Sequence, residues 1–213
     1  MAPPDVPNGE QPPADMQRGG QEAPPEMPGG GRGGNTGSGE ISNEHHIQIN
    51  GGNIYINAQG DGIDSNGSLV IAGGTVIIDG TTMGGNGALD AESMMAVNGG
   101  ELIAVSTVGM TQAPGSYSTQ NVVNITLSES VESGKEITIK DSEGKTIVSH
   151  IPAKSFQSFI YSSDKLETGK EYTVYADGGQ RENFTVSETI TNVGTALNGG
   201  FGGGRGQKNN NKG

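Results

Sequence analysis

The sequence predicts an all-β protein: a parallel β-helix of about three coils, then a small antiparallel β module, between disordered ends rich in Gly and Pro. Three observations predict it. One short phrase recurs three times, each copy alternates apolar and polar residues, and the texture changes after Met110 to short runs separated by tight-turn signals. Self-similarity at a period of roughly 20–50 residues marks stacked structural units.

The first copy is Ile47-Gln-Ile-Asn-Gly51-Gly52-Asn-Ile54-Tyr-Ile56. The second is Leu69-Val-Ile71-Ala-Gly73-Gly74-Thr-Val76-Ile-Ile78, and the third is Met95-Ala-Val97-Asn-Gly99-Gly100-Glu-Leu102-Ile-Ala104. Alternation with a period of two puts Ile47, Ile49, Ile54 and Ile56 on one face of extended chain. A Gly-Gly pair between two such runs also suits a hairpin. Three in-phase copies favour stacking, because stacked coils bury one continuous core whereas isolated hairpins each need another partner. Residues 41–115 are therefore expected to form the coils.

Residues 116–190 are expected to form the antiparallel module. Asn121–Leu127, Glu136–Lys140, Lys145–His150, Phe156–Tyr161 and Glu171–Tyr175 read as strands, with turn signals at Gly134, Gly144, Gly169 and Asp177-Gly-Gly between them. The module is expected to pack on the last coil and cover its sheet edge, which would otherwise invite aggregation. Residues 1–40 are a Pro/Gly/Glu/Gln tract and residues 191–213 a Gly/Asn-rich one. Neither carries enough apolar surface to offset ordering entropy, so both are expected to be disordered.

Composition narrows the function. The chain has 213 residues and a formal net charge of −12, which disfavours nucleic-acid phosphate as a partner. It has no Cys, hence no thiolate chemistry or disulfide. No run approaches the ~18 apolar residues of a membrane span. No signal peptide is visible, since Met1-Ala-Pro-Pro-Asp5 lacks a basic and an apolar region.

The candidate site lies in the acidic turns between copies. These read Gly60-Asp61-Gly-Ile-Asp64-Ser-Asn66-Gly67 and Gly84-Gly-Asn86-Gly-Ala-Leu-Asp90. Aligned on the coils, Asp64 falls over Asp90 and Asp61 near Asn86. Parallel strands lie ~4.8 Å apart, so stacked carboxylates repel unless a positive charge sits between them. Ca²⁺, held by carboxylate and amide oxygens, would supply it. Residues 41–110 hold Glu44, Asp61, Asp64, Asp79, Asp90, Glu92 and Glu101 but neither Lys nor Arg. The competing reading is that Asp-Gly and Asn-Gly only form turns. Tyr55, pointing outward between inward Ile54 and Ile56, and Asn66, beside Asp64, are the candidate sugar contacts. His45, His46 and His150 carry no metal or catalytic assignment.

The run Ile54–Ser68, with Gly73-Gly-Thr-Val76, Asn86-Gly-Ala-Leu-Asp90, Val97-Asn-Gly-Gly100 and Gly109-Met-Thr-Gln-Ala-Pro114, resembles the carbohydrate-binding-domain-containing family of clostridial cell-surface proteins. Asp141-Ser-Glu-Gly-Lys145 and Gly169-Lys-Glu-Tyr-Thr-Val-Tyr175 match its later pattern, so the resemblance spans about residues 45–180. It implies a right-handed parallel β-helix like that of pectate lyases, Ca²⁺ binding, and attachment to cellulose or acidic plant polysaccharide. It implies a secreted or surface location, and further coils upstream of the first. For Asp61, Asp64 and Asp90 it implies a cation role. Non-catalytic binding is the expectation. A polysaccharide lyase or glycoside hydrolase is the alternative, although lyases of this fold class use an Arg or Lys base that the coils lack. A structural adhesin is the third reading.

Overall fold

The computed structural model describes residues 45–194, and every regular element in it is a β-strand. The expected linker, residues 1–40, lies outside the described residues, as does most of the expected tail.

Each repeat copy supplies two strands split by its Gly-Gly pair. The first gives β1 (His46–Ile49) and β2 (Asn53–Asn57); the second gives β4 (Ser68–Ile71) and β5 (Thr75–Asp79); the third gives β7 (Met95–Val97) and β8 (Glu101–Ser106). The strands flanking a glycine pair do not pair with each other. Instead β1, β4 and β7 form one parallel ladder, and β2, β5 and β8 form another. Ile47 faces Leu69, which faces Met95; Ile54 faces Val76, which faces Leu102. The hairpin alternative is thereby removed. The acidic stretches, read above as turns, contain short strands as well: β3 (Ile63–Ser65) pairs in parallel with β6 (Leu89–Ala91).

The glycine pairs explain how the chain changes direction. Gly74 has φ +87°, in the left-handed region where a Cβ is costly, and a Cβ there would lie 2.5 Å from the Gly52 carbonyl oxygen. The turn is therefore both left-handed and in backbone contact with the turn below it.

Seven further strands follow: β9 (Val122–Val131), β10 (Ile137–Asp141), β11 (Thr146–His150), β12 (Phe156–Ser162), β13 (Glu171–Ala176), β14 (Gly179–Thr185) and β15 (Ile190–Gly194). They do not form one separate meander. One sheet runs β11-β10-β13-β14 and is antiparallel. The others join the repeats in a six-stranded mixed sheet, β15-β9-β12-β8-β5-β2. β12 pairs antiparallel with β8, so the edge of the third copy is covered, as an unpaired edge requires. The expected tail began at residue 191, yet β15 continues to Gly194. It does so because Thr191 and Val193 are buried and the strand pairs in parallel with β9.

Two cores result. One lies among the repeat ladders and contains Leu69, Ile71, Val76, Ile78, Val97 and Leu102, with Ile160 of β12 and Val122 of β9 packed onto it. The other lies under the antiparallel sheet, around Phe156, Phe159, Tyr161, Val174 and Phe184. Each fully buried side chain of this size contributes roughly 1.5–3 kcal/mol.

Candidate functional site

Alternation in the shortest sheet builds the acidic face. Ile63 and Ser65 are buried, so Asp64 between them points out; Leu89 and Ala91 are buried, so Asp90 points the same way. The β3–β6 ladder puts Asp64 directly opposite Asp90. Gly62 allows this close approach, because a Cβ there would fall 2.4 Å from the Ala88 carbonyl oxygen.

Asp61 joins from the turn before β3. Its Oδ1 accepts the Gly87 N–H at 2.7 Å. Asn86, with its amide turned to satisfy both neighbours, donates to Asp61 Oδ2 at 3.2 Å and to the Gly85 carbonyl. Asp90 feels the group as a whole. Partial burial, then the Asp61 and Asp64 carboxylates, hold its pKa above the ordinary value. Gln112 donates to Asp90 Oδ1 while its Oε1 accepts the Ala91 N–H at 3.2 Å, so an amide closes the column where the third copy has no acid. The four residues expected to act on a cation thus share one face. The donor set, carboxylate and amide oxygen, suits a hard cation such as Ca²⁺. Among the described residues, no three His, Cys, Asp or Glu side chains converge as placed to enclose a metal.

Asn66 is exposed and lines a shallow hollow with His45, His46 and Asp64. Tyr55 stands elsewhere, on β2 of the six-stranded sheet, with 59% of its surface exposed. The two expected sugar contacts therefore do not share an element: Asn66 lies in the bend between β3 and β4.

The family model described as "Carbohydrate-binding domain-containing protein" matches residues 36–178, most of the 213-residue chain. The chain belongs to this family. No curated protein and no solved structure matches it significantly.

One site in this carbohydrate-binding domain-containing protein was missed by the sequence reading. Asp79, at the end of β5, is 1% exposed. It accepts from the Tyr55 hydroxyl at 2.8 Å and the Ala153 N–H at 2.9 Å, and His150 Nε2 lies 2.7 Å from its other oxygen. Lys154 donates to the Ala58 carbonyl, just after β2. The hydrogen bond to Asp79 comes first among the causes that raise the Tyr55 pKa, since the phenol donates to an anion that ionisation would repel. Glu101 is met in the same way, by Lys165 at 3.0 Å and the Tyr161 hydroxyl at 3.1 Å. The basic partners of Asp79 and Glu101 come from later in the chain: His150 ends β11, and Lys165 lies in the loop after β12. Their sequence separation hides them: His150 is 71 positions from Asp79. The available signal was a lone Asp among apolar residues at the end of Thr75-Val-Ile-Ile-Asp79.

Proposed function

We propose that this protein is an extracellular, non-catalytic polysaccharide-binding module whose acidic face takes Ca²⁺ and, through it, the carboxylates of an acidic plant polysaccharide. We read its three stacked copies as coils of a right-handed parallel β-helix. Family membership supports the carbohydrate. The observation that carries the calcium is the register of Asp64 on Asp90 with Asp61 beside them. Asp79 and Glu101 have protein partners, whereas among the described residues this ladder is met by neutral donors such as Gly87 N–H, Asn86 and Gln112. A divalent ion relieves the repulsion and offers positive charge outward. Without it, a uronate polymer would approach three carboxylates and be repelled. Asp61, Asp64, Asn86 and Asp90 would hold the ion; Asn66 lies within the same face, and exposed Tyr55 offers a stacking surface on the neighbouring sheet.

The test is retention of the full chain on polygalacturonate with Ca²⁺ and with excess EDTA. Retention is expected with Ca²⁺ and should vanish in EDTA and in the triple variant Asp61→Asn, Asp64→Asn, Asp90→Asn. Retention that persists in EDTA removes the bridge.

A further inference from the structure

We infer that the solvent face of the β11-β10-β13-β14 sheet is a second glycan site, which binds a neutral polysaccharide chain without a metal. The inference rests on the carbohydrate-binding reading and locates a subsite within it, away from the acidic face.

Two adjacent rows of side chains cross this sheet. Register aligns Ser149, Thr138, Tyr175 and Gln180 in one row, and Thr146, Lys140, Thr173 and Asn183 in the next. The intervening residues Ile137, Ile139, Val148, Val174 and Phe184 point the other way, into the core. Alternation therefore leaves Ser149, Thr146, Gln180 and Asn183 exposed on this face and Lys140, Thr173 and Tyr175 half-buried between them, while Thr138 is buried beneath. Four strands at ~4.8 Å spacing make the face about 14 Å wide, enough for a few sugar rings in line.

The face is organised around Tyr175. Lys140 Nζ lies 5.1 Å from its ring centroid, and a hollow of about 190 Å³ opens there between Glu136, Thr146 and Ser149. Lys140 makes no ion pair among the described residues, so its ammonium remains able to donate. Thr173 donates to Asn183 Oδ1 at 2.9 Å and Gln180 to the same oxygen at 3.2 Å, which fixes the amides before anything binds. Preorganised polar groups lose less entropy on binding.

The chemistry favours a sugar over a protein. A protein partner needs a desolvated apolar anchor at the centre of its interface, and these rows contain no aliphatic side chain. A pyranose ring offers hydroxyls at its rim and a C–H face that stacks on an aromatic ring, which is what the rows complement. Neutrality follows from the hollow itself, where the single ammonium of Lys140 is balanced by the Glu136 carboxylate, already bonded to Ser149. Among the described residues no group of acids converges here, so no cation is required.

The test is native affinity electrophoresis of the full chain through gels containing soluble hydroxyethylcellulose, in excess EDTA. The parent should be retarded. Tyr175→Ala should weaken retention roughly tenfold, while Tyr175→Phe, which keeps the ring, should retain most of it. Circular dichroism checks that both variants fold. Retardation unchanged in Tyr175→Ala overturns the inference. So does a parent that is not retarded in EDTA; if that parent still binds polygalacturonate with Ca²⁺, the acidic-face reading stands alone. Loss of both kinds of binding overturns both.

Discussion

His150 Nε2 lies 2.7 Å from the Oδ1 of Asp79, joining the end of β11 to the end of β5. Asp79 is 1% exposed and takes three donors, two of them from residues after 149. Removing it leaves buried donors without an acceptor, which costs more than the bonds themselves contribute. Asp79→Ala should destabilise by about 1–3 kcal/mol, read as a lower urea midpoint at constant slope. Tyr55→Phe, which removes one exposed-side donor, should cost about 1 kcal/mol. A loss under 1 kcal/mol for Asp79→Ala would show that the junction does not depend on this carboxylate.

Ile160 tests how the last copy is closed. It belongs to β12, faces Ala104 across the antiparallel pair, and is fully buried in the core of the repeats. Its neighbours Phe159 and Tyr161 turn to the other core. Ile160→Ala should cost about 2–5 kcal/mol, with the larger values if the cavity does not collapse. Thermal unfolding monitored by circular dichroism measures it. A near-neutral outcome would mean that the repeats are closed without β12.

Much of this architecture was legible in the sequence, and the failures have local causes. Period-two alternation exposed the first copy, where one face is exposed, and the shared Gly-Gly phrase carried the match to the third, whose β7 and β8 are buried on both faces; alternation also found β9 to β13. It missed β14, whose seven residues include only one buried side chain, Phe184. It missed β15 because a Gly/Asn-rich continuation masked the buried Thr191 and Val193. The Asp64–Asp90 register was readable, since it follows from in-phase copies. Asp79–His150 was not, because no local pattern encodes a contact across two sheets. The acidic stretches read as turns for a related reason: Asp and Gly are turn formers, and only pairing with the next copy makes Ile63–Ser65 a strand.

Asp90 gives a pH and metal prediction. Its folded pKa is raised by partial burial and by Asp61 and Asp64. The folded state therefore binds the proton more tightly than the unfolded state, and ionisation costs stability. That penalty is present at neutral pH and is lost as pH falls through the raised value, which lies above 3.8. In EDTA at neutral pH, Asp90→Asn should raise Tm by a few degrees at most, since partly exposed charges contribute about 1 kcal/mol or less. The gain should shrink toward acid pH. If the proposed Ca²⁺ binds, the parent should gain Tm with added Ca²⁺ and the variant less. A variant that is less stable than the parent in EDTA would contradict the repulsion.

The glycines test the stacking itself. Gly52 and Gly74 occupy the same position in successive copies, with φ +91° and φ +87°. A Cβ at Gly52 would meet nothing within 4 Å, whereas at Gly74 it would lie 2.5 Å from the Gly52 carbonyl oxygen and 2.7 Å from the Gly51 carbonyl carbon. Both substitutions to Ala force an L-residue into the left-handed region, at about 1–2 kcal/mol. Only Gly74→Ala must also push backbone out of the way, and backbone cannot rotate aside as a side chain can. Gly52→Ala should therefore cost about 1–2 kcal/mol and Gly74→Ala distinctly more, or prevent folding. If the second variant does not fold, native-state hydrogen exchange on the first still decides the matter. Slow exchange at the Thr75 N–H, which donates to the Gly52 carbonyl at 2.8 Å, should survive in Gly52→Ala. Equal costs for the two would mean that the turns do not lie on one another, and the acidic ladder, which depends on the same stacking, would lose its basis.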